Sequence, residues 1–316
     1  MKGLVLYPGA FRLFLASLVL LSHVSGLETG RLGVALFFVL SGYWISDLWD
    51  RQGGPGMIPL FLLNRFLRIW PLYMLVMVAA ALWFRTPLGL SNFTIFGVAS
   101  NHRPNPLGVE WSLDIEAQFY ALLPILMLLN VRLLLLAIPC ALAWWIDYQF
   151  GVRTVFLFAP AFAAGMLIYR SKTKPLIISP MVSLAAFAAL TALIYAIPAL
   201  RGNLFKSQPD LLQVDVFAML WLAPLLPYVA GSLRLKSSPL DRHVGNLAYP
   251  LYLVHFPILH AFGLTGLVEK MLVSALAFGV AVLLYILVDV PIEKGRYASL
   301  DALIRARARQ RRAVAT

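Results

Sequence analysis

An arginine and a histidine stand eleven residues apart, at Arg12 and His23, in the apolar stretch FRLFLASLVLLSH. On a helix that spacing is roughly 16 Å along the axis, and eleven steps of 100° return to within about 20° of the start, so both side chains face one way. An imidazole titrates near neutral pH and is able to take a proton from a hydroxyl, whereas a guanidinium keeps its charge. Arg65 and Arg68, in NRFLRIWPLYML, are spaced i, i+3 and share a face at the start of the third apolar stretch. Their forked donors suit a phosphate, and they equally suit simple anchoring at a positively biased membrane face.

Carboxylates follow in EWSLDIEAQFYALLPIL. Glu116 is about nine residues into the fourth stretch, roughly 13 Å deep. That depth is compatible with His23, and a carboxylate beside an imidazole fixes its tautomer and raises its basicity. Asp114 is a substrate-binding candidate on another face of the same helix, and Glu110 is expected at the interface. His255 and His260, in GNLAYPLYLVHFPILHAF, each have two readings: lining a cavity, or bonding a backbone carbonyl. Ionisable groups inside a bilayer are costly and mark function by default, which is why these residues are singled out.

The elements that hold them are apolar throughout. Of 316 residues, 61% are hydrophobic and 13% charged, with a mean hydropathy of +0.81. A soluble domain of this size needs more charge to cover its surface, so the chain belongs in a membrane. Ten segments approach the roughly 20 residues a spanning helix needs: 8–26, 32–50, 62–83, 107–131, 132–148, 153–170, 177–199, 213–231, 244–264 and 268–290. The fourth and fifth nearly abut at Arg132, and 86–101 reads as a short re-entrant or interfacial piece. With the N-terminus inside, 18 Lys and Arg fall on the cytoplasmic side and seven outside, with Arg12 within the first helix. That ratio supports an all-α polytopic transmembrane bundle of about ten helices with both termini cytoplasmic. The first segment carries Arg12 and His23 and lacks an A-x-A site, so it reads as an uncleaved helix.

Residues 1–296 are expected to form one membrane domain and 297–316 a basic tail. The run RARARQRR at 305–312 follows the last apolar segment. It fits anionic lipid headgroups, and it lacks the interleaved aromatics that would point to nucleic acid. Cys140 is the sole cysteine, so no disulfide forms within the chain, and it reads as packing. No H-E-x-x-H or cysteine cluster suggests a metal, and none is expected.

Together these pieces resemble the acyltransferase-3 family of integral membrane O-acyltransferases. Six blocks carry the resemblance over nearly the whole chain: FRLFLASLVLLSH, GVALFFVLSGYWI at 33–45, NRFLRIWPLYML, WSLDIEAQFYALLP at 111–124, PAFAAGMLIYR at 160–170 and GNLAYPLYLVHFPIL at 245–259. The resemblance implies a cytoplasmic acyl-CoA donor, usually acetyl-CoA, and an acceptor hydroxyl on a carbohydrate or other envelope molecule. By matching position it implies that His23 is catalytic, that Arg12, Arg65 and Arg68 serve the donor, and that Glu116 serves catalysis or the acceptor. It also implies a multi-pass protein of the bacterial inner membrane. Where many members have an Asp shortly before the Arg, this chain has PGAFR, and Glu116 is followed by Ala117 rather than a second acid. Two other classes fit a charged bundle: an exporter of a glycan or lipid-linked substrate, and a non-catalytic scaffold or sensor.

Overall fold

A computed structural model describes residues 5–52, 55–100, 105–129, 133–206, 212–263, 265–296 and 298. The Arg132 boundary and the basic run 305–312 lie outside the described residues. The rest is helical. Its helices are α1 (Pro8–Val24), α2 (Thr29–Gln52), α3 (Ile58–Phe84), α4 (Leu90–Thr94), α5 (Glu110–Leu128), α6 (Ala137–Phe150) and α7 (Val155–Arg170). They continue with α8 (Pro180–Ala196), α9 (Pro198–Arg201), α10 (Val214–Trp221), α11 (Leu226–Leu233), α12 (Pro239–Asn246), α13 (Ala248–Phe262) and α14 (Leu267–Leu284). Among the described residues the only β pairing is an isolated antiparallel bridge, Leu27 with Phe205.

Local sequence sets many of the boundaries. Pro8 and Pro180 open α1 and α8, where the missing N–H costs nothing. Ser179 and Ser238 accept backbone N–H bonds at the starts of α8 and α12, at 3.3 and 3.1 Å. Gly151 and Gly263 end α6 and α13 in left-handed conformation.

A helix occupies each of the ten apolar segments. Among the described residues four helical stretches are long and apolar enough to cross a bilayer: Thr29–Arg51, Ile58–Phe84, Val214–Leu233 and Leu267–Arg296. A fifth is formed if α8 and the Pro198–Leu204 helix, bent by 110° to one another, count as one span. Among the described residues of the segment 86–101 the one helix is the short α4, ended by Ile95 in left-handed conformation.

Helices α1 and α2 form the centre. Helix α1 packs on α2, α12 and α13, and α2 packs on α7. The α2–α7 contact is unusually close. A Cβ on Gly42 would lie 2.1 Å from the Phe162 carbonyl oxygen, and one on Gly165 would lie 2.0 Å from that of Val39. Only glycine permits backbones to meet this way, and small residues serve this purpose at membrane helix contacts. The N-terminus of α1 is fixed from far along the chain. The Asp241 carboxylate accepts the N–H groups of Gly9 at 3.0 Å and Ala10 at 2.8 Å. A negative charge there satisfies free donors and complements the helix dipole. The rod that carries Arg12 and His23 is therefore held at its start.

Candidate functional site

The charged residues gather at two ends of α1. Arg12 lies near one. Its guanidinium is 5.2 Å from the Trp44 ring centroid on α2, and among the described residues it makes no ion pair. Its electrostatic neighbours are Arg68, Glu116, Asp289 and Tyr120. Arg65 faces the Tyr120 ring at 5.9 Å, with its Nε buried and without a hydrogen-bond partner. Two arginines here therefore keep unused donors.

Arg68 differs from its motif partner. Its Nη1 lies 3.1 Å from Asp289 Oδ1 and 3.4 Å from Glu293 Oε1, and its guanidinium is 5.2 Å from the Tyr249 ring centroid. Asp289 closes a π-helical turn, Tyr285–Asp289, at the end of α14. Glu293 also pairs with Arg296, which donates to Asn64. Arg68 thus ties α3 to the segment after α14.

Glu116 lies at this arginine end. Its Oε1 accepts from Ser41 Oγ and from Tyr120 OH, each at 2.5 Å. The expected Glu116–His23 pairing is not formed: among the described residues no hydrogen bond joins them, Glu116 being held by Ser41 and Tyr120 and His23 lying against His255 and Phe256. Asp114 is fully buried and committed to the chain itself. It accepts from Ala99 N–H and from Gln118 Nε2, both at 2.8 Å, and so secures the turn after α4. Glu110, at the start of α5, is enclosed by protein. It is 0% exposed, and neither carboxylate oxygen has a hydrogen-bond partner.

At the other end His23 is exposed. Its ring centroid is 5.2 Å from that of His255 and 5.0 Å from Phe256, so α13 supplies its neighbours. His255 is 0% exposed, with Nδ1 3.1 Å from the Leu251 carbonyl oxygen and Nε2 buried without a partner. Tyr252, one turn earlier, meets Ser112 Oγ at 2.6 Å and donates to the Val109 carbonyl at 3.2 Å, which locks α13 against α5. His260 stacks on Phe256 and meets the edge of Phe84.

A loop braces this end. Lys206 donates to the carbonyl of Ser22, the residue before His23, and its N–H bonds the Gly26 carbonyl at 2.9 Å. Burial lowers the pKa of the Lys206 ammonium, opposed by the charge of Glu28. Beside it, Arg31 and Arg153 both pair with buried Asp215, at 3.1 and 3.3 Å, and both approach the Trp111 ring. Sequence reasoning passed over Asp147, Asp215 and Asp289. All three lie within apolar segments, so the cost of an intramembrane charge would have found them.

Residues 5–290 match the acyltransferase domain of the acyltransferase-3 family.

The chain belongs to the acyltransferase-3 family.

It is 23% identical over 298 residues to peptidoglycan O-acetyltransferase OatA of Listeria monocytogenes serovar 1/2a, covering 75% of this chain and 46% of that protein. It is 26% identical over 272 residues to nodulation protein 10 of Rhizobium leguminosarum bv. viciae, covering 72% of this chain and 71% of that one. The chain thus spans less than half the length of the first relative. No solved structure matches it significantly. The acyltransferase-3 membership covers α1 to α14, so the arginine end and the histidine end both lie within the family domain.

Proposed function

We propose that this acyltransferase-3 protein is a membrane O-acyltransferase that moves an acyl group from cytoplasmic acyl-CoA, with acetyl-CoA the expected donor, to a hydroxyl of a carbohydrate in the bacterial cell envelope. The observation that carries the proposal is the layout of α1: an arginine without an ion pair among the described residues near one end and an exposed histidine near the other. The peptidoglycan O-acetyltransferase relative supports the carbohydrate acceptor.

In this reading the CoA phosphates dock on Arg12 and Arg65, whose donors are free. Arg68 keeps α3 in place through Asp289 and Glu293. Glu116 and Tyr120 order the arginine end, and the pantetheine arm follows α1 for roughly 16 Å. The acceptor hydroxyl meets the thioester at His23. The imidazole takes the hydroxyl proton as the oxygen bonds to the thioester carbon. The C–S bond then breaks, and the proton passes to the leaving thiolate. Asp114 acts through the turn it holds, and His255 acts beside His23.

Membership of the acyltransferase-3 family favours acyl transfer over export. The test is purified protein with acetyl-CoA, peptidoglycan fragments and neutral oligosaccharides, assayed for thiol release and for acetylated sugar. Acceptor-dependent thiol release supports the proposal. A well-folded protein that releases no thiol with acetyl-CoA or longer acyl-CoAs, yet moves glycan across vesicles, overturns it in favour of an exporter.

A further inference from the structure

Two imidazoles face each other at the histidine end, and one has an unused nitrogen in a dry place. The Leu251 carbonyl is only an acceptor, so the 3.1 Å contact requires the proton on His255 Nδ1. In the neutral ring that leaves Nε2 as a lone-pair acceptor. Nε2 is buried and has no partner, on a residue that is 0% exposed. An unmet acceptor in such a place costs free energy.

The nearest ring is His23. The centroids are 5.2 Å apart with the planes tilted by 48°. Less the two ring radii, facing ring atoms are about 3 Å apart at the least; no hydrogen bond joins the two rings in this structure, and a turn of the exposed His23 ring brings its N–H to Nε2. We propose that His255 is the positioning residue for His23: its Nε2 accepts the N–H of the His23 ring, fixing the tautomer that presents the other nitrogen to the acceptor hydroxyl. This rests on the acyl-transfer reading above. It gives His255 the part that a carboxylate plays beside a catalytic histidine, while Glu116 stays with Ser41 and Tyr120. Holding a neutral partner suits a site already crowded with cations, since Lys206 and Arg31 both act on His23.

The test separates the two nitrogens of His255. His255→Gln sets an acceptor where Nε2 stood. His255→Asn replaces Nδ1 and keeps the bond to Leu251, with no acceptor toward His23. Acetyl transfer to peptidoglycan fragments is measured for both beside wild type and His23→Ala, with the acetyl-CoA Kd measured in parallel. The proposal expects Asn to lose kcat at least about tenfold more than Gln, with KM for acetyl-CoA unchanged in both. The reverse order, with Asn active and Gln inactive, overturns it, because the Leu251 bond alone would then matter. Equal activity of Asn and wild type also overturns it. Silence of the wild type in the same assay condemns the acyl-transfer reading instead.

Discussion

Arg65 and Arg68 form one motif in the sequence, but their surroundings predict opposite failures when each is cut to alanine. Arg68→Ala removes the partner of Asp289, whose side chain is 2% exposed, and a second partner of Glu293. Breaking a buried ion pair from one side leaves a charge without compensation, at a cost of about 3–5 kcal/mol. The variant should therefore unfold at clearly lower temperature in detergent, and α14 should lose its tie to α3. Arg65→Ala strands no carboxylate and removes a buried Nε that has no partner. Its stability should stay within about 1 kcal/mol of wild type. A lost charge-assisted bond to a phosphate is worth about 1.5–3 kcal/mol, so acetyl-CoA should bind about 10- to 150-fold more weakly. Calorimetry with acetyl-CoA and thermal unfolding on the same preparations measure both quantities. If Arg68→Ala melts like wild type but no longer binds the donor, the division of labour drawn from the ion pairs is wrong.

Asp241→Ala should destabilise α1 by about 0.5–2 kcal/mol, seen as faster hydrogen exchange at Gly9 and Ala10, with Asp241→Asn intermediate. Gly165→Ala forces a Cβ to within 2.0 Å of the Val39 carbonyl oxygen and should cost about 1–3 kcal/mol in thermal stability through separation of α2 and α7. Asp114→Ala should lower stability by about 1–3 kcal/mol by orphaning the Ala99 N–H, while the folded fraction keeps the wild-type KM for acetyl-CoA. A rise in that KM would show that Asp114 touches substrate.

The helical class could be read in the sequence because apolar periodicity over such lengths has few alternatives; the count of spans could not, since four to five stretches among the described residues are long and apolar enough to cross a bilayer where ten were expected. How the side chains pair was harder to read. Arg12 and His23 were placed at opposite ends of one rod by helix geometry alone. Depth along α5 is compatible with a Glu116–His23 pairing, but depth ignores rotation and the path of neighbouring helices. Ser41, on α2, reaches Glu116, and nothing in the spacing of α5 announces that bond. Arg65 and Arg68 look alike in sequence because their difference lies in Asp289 and Glu293, more than two hundred residues away.

The central claim is that acyl transfer occurs at His23 while the donor is held elsewhere. The direct measurement is acetyl transfer by His23→Ala in reconstituted vesicles, with acetyl-CoA affinity measured on the same protein. The account predicts a loss of about 10²- to 10⁴-fold in kcat, with the wild-type Kd for acetyl-CoA and wild-type thermal stability. Full transfer activity in a folded His23→Ala protein would contradict it.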